Sequence, residues 1–272
     1  MGPRLLYVLG TSFSGSSLLN AILGRHPEVL ALNELANLGH EVRDTMARNP
    51  RHPLHQPLWQ EVRRRYEMNG ARFSDIDLSW RFEDAARGAA RRDRWRAHNE
   101  AVFEALRFAT NASLWVDTSK NGRRLQLLLE WSPLEVYALH LVRDGRAVVS
   151  SALDRGLGLG RTMLGLHLDW ARSASFARSM GPRFMRLRHA DLVTQPRESL
   201  RALCAWIGLS FDPSMLDLSA TGEHPPVIGP KGYWMLRRPL RLEAPRPKTL
   251  SAAREARYRL LGGPRRDAAL GV

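Results

Sequence analysis

At 272 residues, 44% of them hydrophobic and 25% charged, the chain has the composition of a folded globular protein and can bury a sizeable core; it is not a disordered segment. Its formal net charge of +14 points to acidic partners such as nucleotides, nucleic acid, anionic lipid or a polyanionic substrate, or to a background richness in arginine spread over the whole length. The single cysteine, Cys204, excludes an intrachain disulfide and a cysteine-based zinc site, and no apolar run reaches the ~18 residues of a membrane helix.

The start, MGPRLLYVLG, lacks the charged region, long apolar core and cleavage site of a signal peptide, so a cytoplasmic location is the expectation. Short apolar runs alternating with amphipathic stretches predict an α/β domain with a parallel sheet. Leu5 to Leu9 reads as a buried strand, Ser16 to Leu23 as a helix with Gly24 placed to end it, and Val29 to Leu32 as a second strand that ends at Asn33 and Glu34. From about 40 to 107 the pattern turns helical, with dense charge and aromatics at helical spacing; this insertion either shapes an acceptor pocket beside Glu34 or only covers the sheet. The strand pattern resumes at Leu114 to Val116, Val136 to Val142 and Phe184 to Leu187, followed by a helix through RESLRALCAWIGL and one more near SAAREARYRLL. Gly156 to Gly160 reads as a flexible loop, since it lacks dinucleotide-binding spacing and follows a helix. With no repeat and no linker, residues 1–272 read as one domain.

Between the first strand and helix, GTSFSGSSLL places Gly10 and Gly15 around four residues. Backbone N–H groups can then turn inward about an anion at the positive end of a helix, with Ser14, Ser16 and Ser17 adding hydroxyl donors. A nucleoside triphosphatase would carry lysine where Ser16 stands. Without that lysine, or an aspartate clearly placed for Mg²⁺, a triphosphate is not the expected ligand. In HLVRDGRAVVSSAL a strand delivers Arg143 to its carboxyl end, with Ser151 eight residues on. A guanidinium fork beside a hydroxyl suits a phosphate monoester, although such an arginine can equally pair with its neighbour Asp144.

Together, GTSFSGSSLL and VRDGRAVVSSAL resemble the two nucleotide-binding signatures of sulfotransferases that use 3′-phosphoadenosine 5′-phosphosulfate (PAPS), most closely the tyrosylprotein and bacterial carbohydrate-type branches. The resemblance implies a three-layer P-loop-like α/β fold with a central parallel sheet flanked by helices and the 40–107 helical insertion. It implies PAPS as donor, no metal, and sulfonate transfer to a hydroxyl or amine of a small-molecule or carbohydrate acceptor. RHPEVLALNEL puts Glu34 where several members carry the catalytic base, and VDTSKNGRRLQLL puts Lys120 where a lysine approaches the transferred sulfonate. Ser12, Phe13, Ser14, Gly15, Ser16 and Ser17 fall in the donor loop, and Arg143 and Ser151 at the 3′-phosphate. FMRLRHADLVTQP is similar to the family's R-Y-E-D-L segment with His189 where tyrosine is common, and HPPVIGPKGYWMLRRP, carrying Lys231, to its closing loop over the nucleotide.

One departure stands out. The family usually has a basic residue just before the Ser-Gly of the loop, and here that residue is Phe13. The lost charge leaves its work to Lys120 with another basic residue from the tail, or marks a weak or non-catalytic relative. Read alone, Glu34 could be a cap or surface carboxylate and Lys120 a solvated lysine. Trp80, Trp95 and Trp170 read as core or pocket walls, and His52 and His55 have no partners suggesting a metal. An atypical P-loop kinase would give Arg143 and Ser151 no special role. A basic nucleotide- or nucleic-acid-binding protein would need a motif the chain lacks, so neither nucleic acid nor a membrane span is expected.

Overall fold

Five parallel strands frame the molecule: β1 (Arg4–Leu9), β2 (Val29–Asn33), β3 (Leu114–Asp117), β4 (Glu135–Val142) and β5 (Phe184–Arg188), in the order β2-β3-β1-β4-β5. The computed structural model describes residues 2–46, 52–68, 70–80, 88–217 and 250–272. Helices α1 (Ser16–Leu23), α2 (Pro57–Glu67), α3 (Gly88–Ala109), α4 (Gly122–Trp131), α5 (Gly145–Leu153), α6 (Leu159–Met180), α7 (His189–Thr194) and α8 (Pro196–Ile207) cover the sheet, and α9 (Ala252–Leu260) and α10 (Gly263–Leu270) end the described chain. No described helix is long and apolar enough to cross a membrane.

Strand alternation sorts the core into two layers. Leu5, Tyr7 and Leu9 of β1, Trp115 of β3 and Val136 and Ala138 of β4 face one side, where Trp59, Val62, Trp95, Phe103 and Leu106 of α2 and α3 meet them. Leu6, Val8, Leu114, Val116, Leu139 and Leu141 face the other, against Leu19 and Ile22 of α1 and Leu200, Leu203 and Ile207 of α8. All six residues of β1 except Arg4 are buried, as a central parallel strand requires. The insertion is therefore mainly the cover of one sheet face. Trp80 and Trp95 are buried within it, whereas Trp170 on α6 is only partly covered.

One buried ion pair ties that cover to the sheet. Asp117 ends β3 and Arg124 lies on α4, both fully buried, with Arg124 Nε donating to Asp117 Oδ2 at 3.1 Å. Arg124 Nη1 also reaches Leu78 O (2.9 Å) and Asn99 Oδ1 (2.8 Å), so a single guanidinium links strand, helix and insertion. His52, read from sequence as unpartnered, lies 2.9 Å from buried Glu41, and His55 from Met46 O by 3.2 Å.

Several elements differ from the sequence reading. Gly24 ends α1 but in a right-handed conformation (φ −67°), so the stop does not use glycine's freedom. The glycine-rich stretch 156–160 is a turn only through Gly158, and its last two residues open α6, a 22-residue helix with no counterpart in the sequence reading. The eight-residue α10 was likewise not expected. Asp117→Ala should cost about 3–5 kcal/mol by leaving the Arg124 charge buried without its carboxylate. Urea unfolding checks this, and an unshifted midpoint would show that the pair does not anchor the insertion.

Candidate functional site

The carboxyl ends of β1, β2 and β3 meet where the order of strands reverses about β1, the place where open α/β sheets bind ligands. All three non-glycine residues with positive φ among the described residues lie there: Phe13 (69°), Asn33 (58°) and Lys120 (61°). Such backbone costs free energy and persists only where its surroundings fix it. Here they do. Asn20 Oδ1 accepts Asn33 N–H at 3.1 Å, Asn33 O accepts Thr118 N–H at 2.6 Å, and Thr118 Oγ1 donates to Asn33 Oδ1 at 3.1 Å. Ser119, held by Asp117, accepts the Ala36 N–H at 3.0 Å. The turns carrying Glu34 and Lys120 are thus stitched together from below.

Lys120 Nζ donates to Glu34 Oε1 at 2.6 Å, to Thr118 O at 2.9 Å and to Ser16 Oγ at 3.3 Å, using all three of its protons. Asn37 Nδ2 holds the second Glu34 oxygen at 2.8 Å. Glu34 stands at the N-cap of the short 3-10 turn Leu35–Asn37, but its carboxylate caps no backbone N–H and is paired instead with Lys120, which is 15% exposed and not a solvated lysine. Ser16 stands where a triphosphatase has its lysine, and a lysine from the β3 end reaches it instead.

The loop between β1 and α1 is built for close approach. A Cβ at Gly10 (φ 144°) would lie 2.8 Å from Leu141 O, and one at Gly15 (φ 98°) would overlap the His189 ring. Ser14 Oγ is buried with no partner, Ser12 is exposed on the rim, and Ser17 is half-buried in the first turn of α1. Arg143 Nη1 donates to Phe13 O at 2.8 Å, which ties the loop to the end of β4, while Arg143 Nε is buried without a partner. Asp144 does not form an ion pair with Arg143; it caps α5 by accepting the Ala147 N–H at 2.9 Å.

His189 opens α7 against Gly15. Burial, with a smaller contribution from the Arg143 charge, pushes its imidazole down to about 4. Ser151 lies half-buried on α5, and no hydrogen bond joins it to the loop or to Arg143 among the described residues. Lys231 falls outside the described residues.

Phe13 packs beside the α5–α6 cluster of Val148, Val149, Met163 and Leu166, with the Arg155 guanidinium 5.6 Å from its ring centre. The position anchors the loop and brings no charge. Arg161 and Arg172 of α6 line the same 480 Å³ cavity as the loop, Glu34 and Lys120. Sequence reasoning missed both; the signal was the helical period of LGRTMLGLHLDWARSASF, beside the glycines taken for a loop.

The C-terminal helices brace Arg143 from behind. Asp267 Oδ2 accepts the Gly145 N–H at 3.4 Å and the Tyr258 hydroxyl, and Arg266 Nη1 donates to Asp267 Oδ1 at 2.7 Å and Arg143 O at 3.2 Å.

A family model described as "Sulfotransferase family" matches residues 4–213. The sulfotransferase domain from the Synechococcus PCC 7002 olefin synthase is 22% identical, with a TM-score of 0.57 over 97% of this chain and 94% of its own. The sulfotransferase domain from the curacin biosynthetic pathway is 17% identical, with a TM-score of 0.58 over 96% and 98%. At these identities the likeness shows the fold. No curated protein matches the chain in sequence.

On the His189 imidazole, an unfolded chain takes a proton near the ordinary 6.5 but the folded one only near about 4. Below 6.5 the unfolded state therefore binds more protons, so this contribution to stability is complete above pH 6.5 and is lost as pH falls toward 4. His189→Gln should flatten that limb of the curve, as urea unfolding across the interval will show.

Proposed function

The chain belongs to the sulfotransferase family, and on that premise we propose that it transfers a sulfonate group from PAPS to a hydroxyl or amine of a small-molecule or carbohydrate acceptor. The observation that carries this reading is the Lys120 ammonium, placed between Glu34 Oε1 and Ser16 Oγ and so between a candidate base and the anion loop. The residues fit the donor. Two glycine positions leave room for close backbone approach, and Ser14 Oγ and Arg143 Nε are buried polar atoms without a protein partner at the two expected anion sites.

Bound PAPS supplies an electrophilic sulfur with a phosphate leaving group. The loop N–H groups, with Ser12, Ser14, Gly15, Ser16 and Ser17, would hold the phosphosulfate at the positive end of α1, with Phe13 fixing the loop's path. Arg143 and Ser151 would bind the 3′-phosphate, and His189, neutral at pH 7, would pack against the nucleotide side of the loop. Glu34 would accept the acceptor proton as the new O–S or N–S bond forms. Lys120 would turn from Glu34 toward the bridging oxygen as the donor S–O bond breaks, so that its charge follows the negative charge from base to leaving group. That exchange frees Glu34 Oε1 when a proton has to be taken.

Calorimetric titration with adenosine 3′,5′-bisphosphate should give binding that weakens about 10- to 100-fold in Arg143→Ala, the scale of lost charge-assisted hydrogen bonds. ATP with Mg²⁺ should give no comparable response. Binding of ATP with Mg²⁺ in preference to the bisphosphate would overturn the donor assignment. Glu34→Gln should leave bisphosphate affinity unchanged while lowering kcat for sulfonate transfer by about 10²- to 10⁴-fold; an unchanged kcat would remove Glu34 from the mechanism.

A further inference from the structure

α6 runs along one wall of the cavity and presents Arg161, Leu168, Asp169 and Arg172 to it from one helix face. The acids of this lining are engaged: Glu34 takes the Lys120 ammonium, and Asp169 Oδ2 lies 2.9 Å from Nε2 of fully buried His140. The two arginines are not. Neither Arg161 nor Arg172 has a hydrogen bond or ion pair among the described residues. The lining carries Lys120, Arg161 and Arg172 against Glu34 and Asp169.

Arg172 is the better placed of the two. Its stem lies on Gly122 at the start of α4, where a Cβ would stand 3.2 Å from Arg172 Cδ and 3.4 Å from Phe176 Cε2. Gly122 follows Lys120 by two residues, so the stem is seated beside the reacting pair. Ser119, Lys120, Gly122 and Arg172 also line a second cleft of 1070 Å³, whose walls include Trp80, Leu129 and Phe176. Arg161 lies three turns earlier on α6, about 16 Å along the axis, so one small anion cannot use both.

Resting on the sulfonate-transfer reading, we propose that the acceptor is an alcohol bearing a carboxylate on an apolar body, and that Arg172 holds this carboxylate while the hydroxyl meets Glu34. A planar guanidinium matches a carboxylate through two parallel N–H···O bonds, and the Trp80–Leu129–Phe176 wall receives the apolar part. In the transfer, the hydroxyl oxygen forms the S–O bond, its proton passes to Glu34, and the S–O bond to the donor phosphate breaks.

The test uses the full chain saturated with adenosine 3′,5′-bisphosphate and titrated with ω-hydroxycarboxylates from hydroxyhexanoate to hydroxydodecanoate, each beside the diol of the same length. At least one hydroxycarboxylate should bind about 10-fold or more tightly than its diol. Arg172→Ala should erase that preference, Arg172→Lys should keep part of it, and bisphosphate affinity should stay unchanged in both. Equal binding of acids and diols, no binding of either series to the bisphosphate complex, or a preference that survives in Arg172→Ala would each overturn the inference and leave the donor reading standing. Failure of the unaltered protein to bind the bisphosphate would overturn the donor reading itself, and this inference with it.

Discussion

The organisation of this site depends on where one ammonium group can reach. Lys120 leaves the end of β3 in a left-handed conformation and spends its protons on Glu34, Ser16 and its own turn. A phosphate loop that ended in lysine would carry its cation on the loop itself. Here the cation comes from a neighbouring strand and touches a carboxylate and the loop at once, so the charge that could help a leaving group also masks a base. The local backbone is arranged to keep that contact. The strained Asn33 and Lys120 turns are cross-linked by Asn20, Thr118 and Ser119, and none of these bonds requires a bound ligand.

Behind this front, buried charge does structural work. The Asp117–Arg124 pair is out of reach of water, and its extra bonds to Leu78 O and Asn99 make it a joint between the sheet and the inserted helices. Desolvating both ions is costly, and the geometry offsets that cost only because most of the remaining donors are met. Asp117 also positions Ser119, so the insertion and the Lys120 turn share one anchor. Against α5 and α6, Asp267 sits at the amino end of α5 and Arg266 at the carbonyl of Arg143. The last described helices therefore set the position of an arginine more than a hundred residues earlier.

The frame of the fold was legible because its signals are local. The apolar run of β1, the glycine spacing after it and the strands at 114, 136 and 184 each announce themselves within about ten residues. Glu34 and Lys120 could be singled out, but their contact could not, since 86 residues separate them. Position 13 reads as a lost charge in sequence, whereas in the structure it is a packing residue of α5 and α6. The α6 helix was hidden by glycines that mark a turn only at its start, and Arg161 and Arg172 were hidden with it. Arg124 follows Arg123 in the sequence, and nothing in its neighbourhood announces that it is fully buried. What escaped the sequence is the set of long-range contacts that turn ordinary charged residues into parts of a site.

A crystal structure of the protein with adenosine 3′,5′-bisphosphate bound tests the central claim most directly. The account predicts the 5′-phosphate inside the Gly10–Gly15 loop within hydrogen-bond distance of Lys120 Nζ, and the 3′-phosphate on Arg143 and Ser151. A nucleotide bound elsewhere, or one in the loop while Lys120 keeps only its Glu34 contact, would contradict it.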